Sequence, residues 1–131
     1  GSAGKPTSNT WTIVSDRRLK DNVQPFTTGL DVINQIKPVS YELNGKGGMP
    51  KGAKGISIIA QEVKDLIPYA ISTFKAKLNL EDKNTTDLYD FDSSSLTFIL
   101  INAVKELSTK VADQQKEIDL LEAIISRHGL L

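Results

Sequence analysis

The sequence predicts an α+β fold: a small domain of short antiparallel strands and short helices, followed by a long C-terminal helix built for a parallel coiled coil. Three observations predict it. Val39-Ser40-Tyr41-Glu42-Leu43 alternates apolar and polar residues, as a half-buried strand does. Glycines and prolines cut the first ninety residues into short segments. From Asp92 to His128 there is neither, and apolar residues there recur at alternating spacings of three and four.

The elements follow in chain order. Residues 1–14 read as the end of an upstream segment or a linker, because GSAGKPTSNT is small and polar. Trp11 to Val14 is bulky and β-branched and predicts a short strand. Ser15 to Asn22 is charged and turn-like. Thr27-Thr28-Gly29 offers a cap for a helix carrying Leu30, Ile33 and Ile36, which Pro38 ends. Residues 39–43 and 55–59 predict a hairpin around the glycine-rich loop GKGGMPKG. Ala60 to Leu66 predicts a short helix stopped by Pro68, residues 69–75 a strand, and LYDF (88–91) another. Tyr41 and Tyr89 are expected in the core. The segment 15–92 is thus expected to form the α+β domain, and 93–131 the coiled-coil helix.

Composition excludes several classes of function. Sixteen basic and sixteen acidic residues cancel to a formal charge of zero, which removes the electrostatic case for nucleic acid or an anionic membrane. There is no cysteine, so neither a disulfide framework nor a thiolate metal site is available. No stretch of about 18 apolar residues occurs, and the first residues carry no apolar run of the signal-peptide kind. No metal and no cofactor are expected.

The long helix needs a partner. A helix from about Ser94 to His128 reaches on the order of 50 Å, more than a core of this size covers. Val104, Val111, Ile118 and Ile125 hold one seam position; Leu107 and Leu121 hold the other, with Gln114 and His128 as polar exceptions. The stripe is narrower than the face of a helix lying on its own domain. β-branched residues at one position with leucine at the other lean towards two strands.

The candidate chemistry lies in IVSDRRLKDN, residues 13–22. A serine hydroxyl is a poor nucleophile until a base takes its proton. Lysine serves as that base only when neutral, which requires burial or cationic neighbours, and Arg17 and Arg18 are such neighbours. Spacing alone favours the plainer reading, an exposed charged turn with Ser15 as a cap. On a helix, Ser15 and Lys20 point about 140° apart, and on a strand they face opposite sides. They meet only if the chain bends between them, through tertiary or inter-chain packing, or if Lys20 serves a neighbouring chain.

Four stretches in order resemble one family. Ser15-Asp16-Arg17-Arg18-Leu19-Lys20-Asp21-Asn22-Val23 resembles the S-D-x-R-L-K-x-N-I start of the peptidase S74 family, the C-terminal intramolecular chaperone domain of phage endosialidases, tail fibres, tailspikes and neck appendages. IKPVSYELN is similar to the family's P-V-x-Y strand, and GISIIAQEV to its G-x-I-A-Q-E-V segment, with extra residues before the alanine. YDFDSSSLTFILINAVKEL is similar to its tyrosine strand and the helix after it. The resemblance runs from residue 15 to about 125.

The resemblance implies a homotrimer, not a dimer, which promotes folding of a β-rich fibre segment upstream in the same chain and then cuts itself off before the motif serine. It implies Val14–Ser15 as the cleaved bond and Ser15 and Lys20 as a catalytic dyad. Asp16, Arg18, Asn22, Gln61 and Glu62 are candidates for support of the site. The trimer seam would be Val104, Leu107, Val111, Gln114, Ile118, Leu121 and Ile125. It implies a precursor of a phage virion tail or appendage protein, assembled in the host cytoplasm, with the domain released from the mature fibre. The alternative is a trimerisation module that keeps the fold and does not cut. Membrane-bound transcription factors of the myelin regulatory factor type share this domain, but the sequence shows neither their membrane span nor their DNA-binding domain.

Other motifs carry less. Gly45-Lys46-Gly47-Gly48 does not have phosphate-loop spacing and reads as a hairpin loop. Glu81, Asp82, Asp87, Asp90 and Asp92 do not follow the calcium-loop pattern. Asn84-Thr85-Thr86 is a glycosylation sequon of little meaning without a secretion signal. His128 reads as packing near a frayed helix end.

Overall fold

The computed structural model describes residues 12–129. A 3-10 turn at Arg17–Leu19 comes first, and a short helix, α1, spans Leu30–Ile33. Strand β1 (Val39–Glu42) pairs antiparallel with β2 (Lys54–Ser57), setting Tyr41 opposite Gly55. Helix α2 runs Ala60–Val63. A 3-10 turn at Pro68–Ala70 leads into β3 (Ile71–Ala76), which pairs antiparallel with β4 (Thr86–Phe91). Ser93–Ser95 forms one more 3-10 turn, capped by the Asp92 carboxylate on the Ser94 N–H at 2.9 Å, and α3 follows over Leu96–Arg127.

The core is small and sits where α3 begins. Val63 from α2, Ile67, Ala70 and Ile99 from α3 are buried together. Val32, Ile33 and Ile36 pack around them from the α1 side, and Ile71, Phe91 and Leu96 from the other. Ile99 and Ala103, four residues apart, lie on one helix face and are the two buried residues of α3. The first turns of α3 therefore belong to the globular part. The two hairpins are tied at their loops by the Gly47 N–H donating to the Leu78 carbonyl at 2.9 Å. A Cβ on Gly47, at φ 63°, would press on Leu88.

The remainder of α3 has no covering. Every residue from Val104 to Ile124 is exposed, Ile118 by 47% and Val111 by 62%. Leu100, also exposed, falls four residues before Val104 and extends the apolar seam into the domain. Towards the other end the stripe widens, because Leu120 and Ile124 lie beside Ile118, Leu121 and Ile125.

Several expectations are corrected. Ile13 and Val14 form no strand, and Trp11 lies outside the described residues. Tyr69 belongs to a 3-10 turn, because Pro68 at its first position fixes a helical φ. The helices expected over 30–36 and 60–66 are single turns of four residues, held by packing, α1 on α3 and α2 through Val63 in the core, rather than by their own length. Tyr41 and Tyr89 are exposed, not core. Tyr41 lies across Gly55, where a Cβ would run into its ring, and Lys64 sits over the Tyr89 ring at 5.9 Å.

Ile99→Ala should destabilise the fold by about 2–5 kcal/mol, since Ile99 is fully buried in so small a core. Lys116→Ala, on the exposed part of α3, should stay within about 0.5 kcal/mol. Urea denaturation followed by circular dichroism, at matched protein concentration, measures both.

Candidate active site

Ser15 and Lys20 stand on either side of the Arg17–Leu19 turn. Asp16 builds that turn. Its backbone is extended, and its carboxylate accepts the Arg18 N–H at 2.8 Å, the bond expected of an N-cap. The same carboxylate holds the Arg18 guanidinium, with Nε at 3.1 Å and Nη2 at 2.8 Å. The Asp16 carbonyl accepts the Leu19 N–H and the Arg17 carbonyl the Lys20 N–H, at 3.0 and 3.1 Å. The chain then leaves in an extended conformation at Lys20.

One tight turn between two extended residues bends the chain enough to close the gap. Lys20 Nζ lies 2.7 Å from Ser15 Oγ, donating to the hydroxyl. The expectation that tertiary or inter-chain packing must join the two side chains is thereby corrected: a local 3-10 turn does it within one chain. Ser15 is not the cap; Asp16 is. Two residues on, Asn22 has φ 53°, the one non-glycine in the left-handed region among the described residues. Asparagine tolerates that region better than most residues, and here it redirects the chain towards α1.

The whole stretch from Thr12 to Thr27 is exposed. Val14, on the other side of the bond before Ser15, is 56% exposed. Asp16 and Arg18 serve the turn. Among the described residues, no hydrogen bond or ion pair joins Gln61 or Glu62 to Ser15 or Lys20; both lie on the exposed side of α2, opposite Val63. Three residues of the acidic run have local partners: Asp82 accepts the Asn79 N–H at 2.9 Å, Asp87 pairs with Lys75 across β3–β4 at 2.9 Å, and Asp92 is a cap. His128 is the exposed C-cap of α3.

Two positions escaped the sequence reading. Asn102 and Glu106, one helical turn apart on α3, hold the chain just after the dyad. The Asn102 amide donates to the Phe26 and Thr28 carbonyls at 2.8 and 2.9 Å, and Glu106 accepts the Leu30 N–H at 2.9 Å. Gly29 fits flush between them; a Cβ there would collide with the Glu106 carboxylate and crowd Asn102. A polar pair at positions i and i+4 beside the buried Ala103 was the available signal.

Chemically, a serine oxygen and a lysine amine at hydrogen-bond distance are a nucleophile and a base in place. The amine donates in the geometry seen; proton abstraction needs it neutral and accepting. Desolvation is what favours the neutral form of a lysine.

The Arg18 guanidinium, and after it the Arg18 N–H, holds the Asp16 carboxyl below its ordinary value of 3.8. A carboxylate lowered on folding adds stability above its unfolded value and loses it as pH falls through the lower, folded one. The cap should therefore persist at pH 4 and be lost only below 3.8. The Arg18 amide resonance, followed by NMR on acidification, should titrate with a midpoint under that value. In Asp16→Asn the transition should vanish.

Residues 15–72 match the family described as chaperone of endosialidase, peptidase S74, so the match opens on Ser15 itself. The chain is 27% identical over 106 residues to the long tail fibre proteins Gp37 of Enterobacteria phages K3 and T2. The likeness covers 81% of this chain and 8% of each of those relatives. The family match thus begins at Ser15 and runs to Ser72, with the SDRRLKDNV stretch at its head.

Proposed function

We propose that this domain is a trimeric intramolecular chaperone that aligns three copies of a phage fibre or appendage protein, promotes folding of the segment upstream, and then releases itself by cutting Val14–Ser15. The observation that carries the cleavage reading is the 2.7 Å contact between Lys20 Nζ and Ser15 Oγ, at the first residue of the family match.

The reaction follows from position. Ser15 contributes the nitrogen of the bond it cuts. Its Oγ attacks the Val14 carbonyl carbon through a five-membered ring while neutral Lys20 takes the hydroxyl proton. The C–N bond breaks, Lys20 returns the proton to the Ser15 nitrogen, and Val14 is left as an ester on Oγ. Water then hydrolyses the ester, giving the Val14 carboxylate and restoring the hydroxyl. Asn22 and neighbouring backbone N–H groups are the candidate donors to the developing oxyanion.

Assembly supplies what the single chain lacks. Lysine ordinarily titrates near 10.4, so a base near neutral pH must be desolvated. Lys20 is exposed in one chain, and cover has to come from neighbouring chains. The exposed seam from Val104 to Ile125 supports that source. The tail-fibre relatives favour a fibre upstream. Three strands, against the two that the seam residues lean towards, rests on the family resemblance.

Ile118→Asp with Leu121→Asp should abolish the oligomer, by burying charges at consecutive seam positions. Sedimentation equilibrium checks this, and a stable monomer for the unaltered protein at micromolar concentration would sink the assembly reading.

Cleavage should be a first-order, single-turnover event in the assembled protein. In a fusion to an upstream fibre segment, Ser15→Ala and Lys20→Ala should each block it with the trimer retained. Denaturing gels and intact mass decide: a Ser15→Ala fusion cut at Val14–Ser15 as readily as the unaltered one removes the dyad, and an uncut trimer favours the non-cleaving chaperone.

A further inference from the structure

We infer that Asn102 and Glu106 form a positioning clamp that fixes the SDRRLK turn to the start of the α3 seam, so that seating α3 in the assembly also seats the dyad; this deepens the self-processing reading above and rests on it.

The tether is sparse elsewhere. From Thr12 to Thr27 no residue is buried, and no helix or strand lies between Lys20 and α1. The first buried position after the dyad is Gly29, seated against the clamp. Around it, two side chains of one helix face hold three consecutive anchor points, the Phe26 and Thr28 carbonyls and the Leu30 N–H. The chemistry is matched: an amide nitrogen can donate to both carbonyls, and a carboxylate accepts the Leu30 N–H, one of the amides a helix start leaves unpaired. The Phe26 ring adds an edge contact to Tyr69, centroids 6.0 Å apart.

The clamp also occupies the right place along α3. Asn102 and Glu106 are interleaved with Leu100, Val104 and Leu107, the beginning of the exposed seam. The seam faces the neighbouring helices, and the clamp, on another side of the same turns, faces the dyad segment. Rotation or displacement of α3 moves both together. Residue 22, bent into the left-handed region, and residues 23–25 then span the distance to Lys20.

The test uses the same upstream fusion, with the cleavage rate and the trimer measured together. Asn102→Ala should slow cleavage at least tenfold while sedimentation still shows the trimer. Glu106→Ala should slow it less, having lost one bond, and Glu106→Gln, which keeps an oxygen for the Leu30 N–H, should restore most of the rate. If Asn102→Ala does not assemble, the Glu106→Ala and Glu106→Gln pair decides alone. Equal rates for unaltered protein and Glu106→Ala in verified trimers overturn the clamp while leaving the dyad intact. Hydrogen exchange on the uncut Ser15→Ala trimer gives a readout independent of catalysis. The Leu30 amide and those of residues 18–28 should exchange faster when Glu106→Ala is added; unchanged protection overturns the clamp even if no protein is ever cut.

Discussion

The contact between the first turns of α3 and the segment Val63–Ala70 is the one on which the other elements depend. Ile99 and Ala103 supply the apolar face, and α1, α2, β3 and β4 all lean on it from different sides. Without it the one-turn helices have no reason to persist, since isolated turns do not repay their own ordering entropy. The same turns of α3 carry Asn102 and Glu106 on one side and Leu100 and Val104 on another. Core, the anchor of residues 26–30 and the exposed seam thus share about three turns of one helix.

That sharing explains why so little apolar surface is buried in a single chain. Among the described residues five hydrophobic ones are buried, while Phe98, Leu100, Ile101 and most of the seam stay open to solvent. Charge does not hold the fold instead. The ion pairs among the described residues, Asp16–Arg18, Glu42–Lys54 and Lys75–Asp87, are all exposed, and solvent screening leaves such pairs little net effect on stability. The proposed self-association would bury that apolar seam surface and add stability that the single chain does not have.

Much of this was legible in the sequence because it depends on short-range rules. The long helix followed from the absence of glycine and proline after Asp92, and the hairpins from alternation interrupted by glycine. The family motif located Ser15 and Lys20. What failed depended on long-range contacts or on turn geometry. That the chain must bend for Ser15 to meet Lys20 was legible, but the bend was assigned to tertiary or inter-chain packing, whereas a capped 3-10 turn between extended residues suffices. Asn102 and Glu106 act on residues 74 to 76 positions away, and no local pattern announces such partners. Tyr41 and Tyr89 were placed inside on aromatic character alone, although a glycine opposite Tyr41 and a lysine near Tyr89 give both rings an exposed seat.

The uneven width of the α3 stripe has a consequence for the order of events. Between Ile118 and Ile125, five of eight residues are large and aliphatic, whereas from Leu107 to Gln114 only Leu107 and Val111 are. Chains meeting through this helix gain most per residue at the end far from the domain. In the proposed assembly, zippering that begins there would travel towards Leu100 and reach the turns carrying Asn102 and Glu106 last. The final geometry would then be withheld until the whole length of the helix is matched, and a mismatched or truncated partner would stall before the Ser15–Lys20 segment is covered.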